Sequence, residues 1–454
     1  MTDSTRLTKK QLFSKYDVPA PRYTSYPTVP HWEGAPEKEF WISAVKDGLA
    51  SGDGWSMYVH IPFCETLCTF CGCNTTITRN HDKEKPYLDI ILKEWALYVE
   101  KVPELQKAPL KHIHLGGGTP NFFSARHLHD LVAPIMKAAN VSQTEFEGSI
   151  EVDPRRLHRD QLQALYELGF RRVSLGVQDY NDEVQRLINR VQPYSMTEQT
   201  TNMAREVGYT SVNFDLIYGL PMQTIDSFKT TAMQTLQLRP DRIALYSYAK
   251  VPWIKPAQRL FKDEDLPEGA EKRSLYELAR EILLDGGYLE IGMDHFALPE
   301  DGLALAAKEK RLHRNFMGYS DQKTNVLLGL GVSSISETPT CFHQNEKVLP
   351  VYEREITSGN LPTFRGHVLT EEDMQQRQQI LKFMNEFCVD LRPEQVDDVR
   401  TFLKPMFDDE LVHLSGHSLT LTDKGRPFLR NACMALDLRL RRSQSGVRAH
   451  SQAI

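Results

Sequence analysis

Tyr58-Val-His-Ile-Pro-Phe-Cys64-Glu-Thr-Leu-Cys68-Thr-Phe-Cys71-Gly-Cys73 decides how the rest of the chain is read. An apolar, β-branched run, Met57–Ile61, meets a proline and opens into a short loop with three cysteines spaced C-x3-C-x2-C. A loop that short can turn Cys64, Cys68 and Cys71 toward one soft metal centre. Thiolates are the ligands iron–sulfur clusters use. Three of them on a four-iron cluster leave one iron without a protein partner. The rival is a structural zinc site, but zinc usually takes its ligands in two separated pairs, and no second knuckle lies nearby. Cys73 adds a C-x-C and reads as a fourth ligand, a substrate contact or a plain loop residue. Cys341, Cys388 and Cys433 stand apart and read as small buried hydrophobes.

Working outward, one pattern recurs from Met57 to Tyr248: a short β-branched or aromatic run, a polar or glycine-rich loop, then an amphipathic stretch. The strands expected are Met57–Ile61, His112–Leu115, Gly148–Val152, Arg172–Val177, Ser211–Ile217 and Arg242–Tyr248. Strands alternating with helices at this spacing form right-handed βαβ units of a parallel sheet. Six units make a partial barrel or an open sheet. In either, active sites form at the C-terminal strand ends. Those ends carry the cysteines, Gly116-Gly-Gly-Thr-Pro120, Glu151 and Asp153, Gln178 and Asp179, Asp215, and Tyr248-Ala-Lys250.

The flanks differ. Pro19–Trp32 is rich in proline and aromatics, a poor helix and a poor central strand. It reads as an arm packed on the domain or as a lid bringing Arg22 and Tyr23 to the site. Tyr288–His295 reads as a further strand, and Leu327–Ile335, with Gly329 and Gly331, as a tight turn beside a buried strand. Gly, Asn and Pro within Ser358–Gly366 mark a boundary. Beyond it come a helix opening at Thr370-Glu-Glu-Asp and a hairpin around Ser415-Gly-His-Ser418. The units expected are an arm at 1–50, a catalytic domain at 51–360, a mainly helical domain at 361–438 and a solvated, disordered tail at 439–454.

The chain has 454 residues, 41% hydrophobic and 25% charged, with a net charge of −6. These values suit a globular protein and give no reason to expect nucleic acid or a membrane as partner. No apolar signal opens the chain and no stretch is long enough to span a bilayer. Seven cysteines, four of them within positions 64–73, fit metal binding in a reducing cytoplasm better than disulfides.

With these motifs together, the chain resembles the oxygen-independent coproporphyrinogen III oxidase family of the radical S-adenosylmethionine (SAM) superfamily. The resemblance is carried by Arg22-Tyr-Thr-Ser-Tyr-Pro-Thr28, the cysteine loop with its Cys71-Gly-Cys73 ending, Gly116–Pro120 and Ile150-Glu-Val-Asp-Pro154. Further matches are Gly176-Val-Gln-Asp179, Asn189-Arg190, Asp215-Leu-Ile-Tyr-Gly-Leu-Pro221, Gly292-Met-Asp-His-Phe296, His313-Arg-Asn-Phe-Met-Gly-Tyr319, Thr422-Asp-Lys-Gly-Arg426 and Arg430-Asn-Ala-Cys433.

The resemblance implies an α/β fold: a partial (β/α)6 barrel of parallel strands, an N-terminal arm and a smaller, mainly helical C-terminal domain with a β-hairpin. It implies a 4Fe–4S cluster on Cys64, Cys68 and Cys71, and two SAM molecules. Tyr58, Gly117, Glu151 and Ile335 match positions contacting the cluster-bound molecule. Phe70, Gly118, Thr119, Gln178, Arg190, Asp215 and Ala249 match contacts to a second one. Cys73 and Arg22 are the catalytic candidates. The reaction implied removes two propionate carboxylates of coproporphyrinogen III as carbon dioxide, giving protoporphyrinogen IX. A 5′-deoxyadenosyl radical starts it, because an unactivated C–H offers no acidic proton to a general base. An electron donor and an acceptor are implied as partners, and the chain is expected to act as a monomer. Arg22, Lys250 and Arg314 are the cations expected to meet the propionates. The rival readings are a haem chaperone, a haem-degrading radical relative and a zinc-stabilised binding module.

Overall fold

The computed structural model describes residues 7–32 and 34–443. Twelve strands carry the argument: β1 Trp55–Ile61, β2 Pro109–Gly117, β3 Glu147–Val152, β4 Phe170–Gln178, β5 Ser211–Tyr218, β6 Arg242–Ser247, β7 Leu289–Ile291, β8 His295–Ala297, β9 Val326–Leu330, β10 Ile335–Glu337, β11 Cys341–Asn345 and β12 Thr363–Val368. They lie in one sheet in the order β7-β8-β6-β5-β4-β3-β2-β1-β9-β10-β11-β12. Strands β6 through β1 are the six parallel strands expected, each followed by its helix. The order does not close: β6 is bordered by antiparallel β8, and β1 by β9.

Three expectations change. The run Leu327–Ile335 does hold a tight turn, at Gly331 with φ +94°, but its first half is a seventh parallel strand, with Tyr58 opposite Gly329. Gly329 is needed there because a Cβ would lie 2.6 Å from the Ile335 carbonyl oxygen. The single strand expected at Tyr288–His295 is instead the hairpin β7–β8, reversed at Gly292, whose φ of +59° favours glycine. The boundary placed at 361 comes too early, since β12 pairs with β11 and belongs to the sheet.

Apolar residues at helical spacing cover the sheet. The helix Glu84–Lys101 buries Tyr87, Leu88, Ile91, Trp95 and Tyr98. The helix Lys38–Ala50, assigned above to the arm, buries Trp41, Ala44, Val45 and Leu49 in the same core and so belongs to the domain.

The rest of the arm docks on the C-terminal unit. Leu12, Phe13, Tyr16, Tyr23 and Tyr26 share a core with Ile380, Phe383, Leu419 and Phe428. The Tyr23 hydroxyl donates to Asp437 at 3.1 Å, so of the two readings of the arm Tyr23 follows the packed one, lying in the C-terminal core and not on the cysteine cavity. Arg430 holds the arm through the carbonyl oxygens of Ala20 and Pro21. The C-terminal unit joins helices to a small sheet of Cys388–Asp390, Val412–Ser415 and Ser418–Leu421. The tail expected to be disordered from 439 begins as the helix Leu438–Arg442. Ion pairs of Arg439 with Asp373, Arg441 with Asp398 and Arg442 with Glu372 hold it. Positions 444–454 of that tail lie outside the described residues. No helix among the described residues is long and apolar enough to cross a membrane.

A buried carboxylate pins the turn after β9. Glu94 accepts from the Gly331 amide at 2.8 Å, Asn345 Nδ2 at 2.6 Å and the Tyr352 hydroxyl at 2.6 Å. Burial outweighs these donors and pushes its pKa up to about 7. A raised carboxyl pKa means the fold favours the proton, so the stabilisation is complete below the unfolded value and fades as pH rises through 7. Wild-type stability should therefore fall, by on the order of 3 kcal/mol between pH 5 and 8, relative to Glu94→Gln. Parallel pH profiles of unfolding for the two proteins would contradict this.

Candidate active site

The cysteine loop leaves β1 at Pro62 and is closed at its base. Thr76 and Thr78 amides donate to the Pro62 and Cys64 carbonyls at 2.8 and 2.9 Å, and the Gly118 amide to Ile61 at 2.8 Å. Gly118 must lack a Cβ, which would lie 2.6 Å from the Pro62 oxygen. The tip is fixed by Thr69, which donates through its amide and hydroxyl to Ile188 and Leu187, and by Asn189, which donates to the Leu67 carbonyl at 2.8 Å.

The loop opens on a cavity of about 360 Å³ lined by Cys64, Cys68, Cys71 and Cys73. Cys64, Cys68 and Cys71 are half-buried, and Cys73 is exposed toward the opening. Thr119 Oγ1 lies 3.3 Å from Cys64 Sγ. The Cys73 amide donates to Cys71 Sγ at 3.4 Å, and the Cys73 carbonyl accepts from Lys255. Burial pushes the Cys64 thiol up to about 11, while the Cys73 thiol beside it holds Cys71 below the usual thiol range.

Two guanidiniums, Arg155 Nη2 and Arg190 Nη1, each donate to Cys68 Sγ at 3.8 Å. Asp153 holds both: Arg155 meets it at 2.6 Å and Arg190 at 3.2 Å. Burial opposes its ionisation, but the two arginines outweigh burial and lower its pKa to about 2. Arg190 also donates to the Gly176 carbonyl at 2.7 Å, leaving its buried Nε without a partner.

Deeper in, the wall is polar because alternate residues of β2 to β6 point inward. His114 donates to Glu151 at 3.1 Å, and the Gly117 amide donates to the other carboxylate oxygen at 3.2 Å. Burial works against Glu151 ionising, yet the His114 bond and charge and the Gly117 amide leave its pKa lowered. Asp215 accepts from Ser174 and Asn213 at 3.0 and 2.9 Å, and burial together with the Glu151 charge raises it to about 6. Gln178 sits at a bulge with φ +69°, which re-aims its side chain into the cavity. Asp179, also singled out at that strand end, is turned away and buried against Gln223 and Thr231.

The cavity thus gathers Phe70, Gly117, Gly118, Thr119, Glu151, Gln178, Arg190 and Asp215 from the expected set. Tyr58, Ala249 and Ile335 do not line it. Tyr58 stacks on His114 with ring centroids 5.8 Å apart, and Ile335 packs near Trp32 and Phe342. None of the three expected propionate cations lines it either. Arg22 donates to the Ser247 carbonyl and faces another cavity, Lys250 pairs with Asp263, and Arg314 is buried over the Tyr319 ring. Sequence reading missed Arg155, His114, Ser174 and Asn213. The signal available was the alternation of polar residues within otherwise apolar strands.

The donor set, three half-buried thiols on one short loop, is the kind that an iron–sulfur cluster takes.

Comparison with known proteins points the same way. The Radical SAM superfamily profile matches residues 58–234. The oxygen-independent coproporphyrinogen III oxidase of Escherichia coli K12 is 40% identical over 441 residues, covering 95% of each chain. The chain belongs to the oxygen-independent coproporphyrinogen III oxidase family. A second member, from Bradyrhizobium diazoefficiens, is 36% identical over 96% of this chain and 97% of its own. The solved structure of coproporphyrinogen III oxidase (HemN) from Escherichia coli, described as a radical SAM enzyme, superposes with a TM-score of 0.87. It is 39% identical, over 92% of this chain and 97% of that one. Family membership implies a 4Fe–4S cluster and SAM, and the mixed α/β fold with its helical C-terminal part is the family's.

The two guanidiniums on Cys68 place positive charge where a reduced cluster would carry extra negative charge. Arg155→Met should therefore move the cluster's midpoint potential to more negative values with iron content unchanged. An EPR-monitored redox titration reads this, and an unmoved potential would refute the role.

Proposed function

We propose that the chain catalyses the oxidative decarboxylation of two propionate side chains of coproporphyrinogen III, giving protoporphyrinogen IX without oxygen. The observation that carries this reading is the set of three half-buried thiols on the rim of a polar cavity whose inner wall offers carboxylates and a guanidinium. Cys64, Cys68 and Cys71 hold the cluster. Bound there, the cluster and SAM supply the reducing electron and a carbon-centred radical able to take a hydrogen atom from a propionate β-carbon.

The chain's own residues bind and orient. Glu151, fixed by His114 and the Gly117 amide, presents a carboxylate to the ammonium or ribose of the cofactor, with Tyr58 acting from behind through the His114 ring it stacks on. Phe70, Gly118, Thr119, Gln178 and Asp215 surround a second SAM molecule, and the spare Nε–H of Arg190 takes its carboxylate. Cys73, exposed beside the ligands, faces the substrate. Each propionate then gives up one hydrogen atom, one electron and carbon dioxide, so a one-electron acceptor must take the electron. Crowded free thiols suit a reducing cytoplasm. In this reading the chain acts as a monomer with a separate electron donor.

Anaerobic incubation of coproporphyrinogen III with a reductant and SAM should yield protoporphyrinogen IX, carbon dioxide and 5′-deoxyadenosine. Cys68→Ser should lose the cluster and all product. Glu151→Gln, which removes charge-assisted bonds of roughly 1.5–3 kcal/mol, should cost roughly tenfold to hundredfold in kcat/KM for SAM. Cleavage of SAM with no porphyrin product would reject the substrate. A methylated or opened haem would favour the haem-degrading relative, and haem transfer without turnover the chaperone.

A further inference from the structure

A second cavity, of about 320 Å³, shares no lining residue with the cysteine cavity. It is enclosed by the arm, the helix Gly269–Asp285, Ser247 at the end of β6, the turn Gly292–Asp294 and the C-terminal turn Asp423–Phe428. Only one strand separates the two spaces at β6: Tyr246 faces the cysteine cavity and Ser247 this one. Asp294 on this side is bonded to His295 on the other at 2.7 Å.

Its floor is apolar, built from Leu12, Phe13, Tyr218, Tyr276, Met293 and Phe428. Its walls carry more cations than their carboxylates answer. Glu277 is shared by Lys9 at 2.6 Å and Arg273 at 2.5 Å. Glu290 is held by Arg280 at 2.9 Å, Asp423 by Arg426 at 3.3 Å and Asp294 by His295. Those are all the carboxylates in the wall. Arg22 and Lys424 also face the cavity, and their hydrogen bonds run to main-chain oxygens, of Ser247 and Asp409, both at 2.8 Å.

The surplus charge is felt by Lys272 on the adjoining helix and by Arg430, which also lines the cavity. Burial and the Arg22 charge lower the pKa of Lys272 to about 8, and the same two causes lower that of Arg430 to about 10. The cations come from three segments, the arm, the helix and the C-terminal turn, so they ring the cavity and do not converge on one point. A ring of separated positive groups over an apolar, aromatic floor suits a flat apolar body with several outlying carboxylates, and suits a single phosphate poorly.

We propose that this cavity binds carboxylate side chains of a tetrapyrrole at a site separate from the one that holds the reacting side chain. The proposal rests on the tetrapyrrole reading above. It gives the arm and the C-terminal turn a shared task, since Arg22 and the Lys424–Arg426 pair act on one ligand from opposite sides.

Coproporphyrin III, the stable aromatic tetracarboxylate, is titrated by fluorescence into the anaerobic, cluster-loaded full chain. The same titration is made with Lys424→Glu/Arg426→Glu and, independently, with Arg22→Gln. Both variants should bind at least tenfold more weakly, and KM for coproporphyrinogen III should rise while kcat holds. The uncharged tetramethyl ester should not distinguish them from wild type. Equal Kd values for the free acid in wild type and both variants would overturn the site alone. Failure of the wild-type chain to bind coproporphyrin III at all would overturn the tetrapyrrole reading and the site with it.

Discussion

The cysteine loop has almost no secondary structure, yet it has to hold three thiols in a fixed relation to the ends of seven parallel strands. The carboxylate of Asp153 supplies much of that rigidity. From the end of β3 it grips Arg155 and Arg190, and both guanidiniums reach Cys68. Removing either arginine leaves a buried charge short of a partner, and removing Asp153 leaves two cations facing each other, each far costlier than an exposed pair. Main-chain bonds to the Leu187–Asn189 turn then fix the loop tip.

Around this point the sheet separates two environments. Residues of the parallel strands that face the helices are apolar and fully buried, such as Val59, Leu115, Ile150, Leu175 and Phe214. Those that face inward include His112, Ser149, Arg172, Asn213 and Arg242. The far end of this polar interior is sealed by ion pairs, with Arg242 bonded to Asp301 at 2.7 Å and Asp321 at 2.9 Å. Such a wall holds polar ligands by fixed dipoles and charges, already oriented before anything binds.

The six parallel strands were legible because β-branched runs and turn residues alternate at βαβ spacing, and the cysteine loop because its spacing has few uses. The seventh strand was obscured: Gly329 and Gly331 suggest a turn, whereas Gly329 answers a close main-chain approach within a strand. Of the site, the strand-end residues Glu151, Gln178 and Asp215 stood out, because strand termini are where α/β sheets bind ligands. Arg155 did not, since it follows Pro154 with no motif, and only folding brings it to a cysteine 87 positions away. The motif around Arg22 marks it as a candidate cation, but sequence does not say which cavity it faces.

The arm's place in the C-terminal core has a bearing on how the molecule is made. Leu12, Phe13 and Tyr16 are synthesised long before most of their packing partners, which run from Ile380 to Leu436. Until those partners are made, this apolar segment has only the helix Gly269–Asp285 to pack on and lacks most of its core. The Arg22 segment therefore cannot complete its docking while the central sheet is being synthesised. The central sheet, whose strands pair mostly with near neighbours in sequence, is free to form first, with the second cavity still open on its arm side.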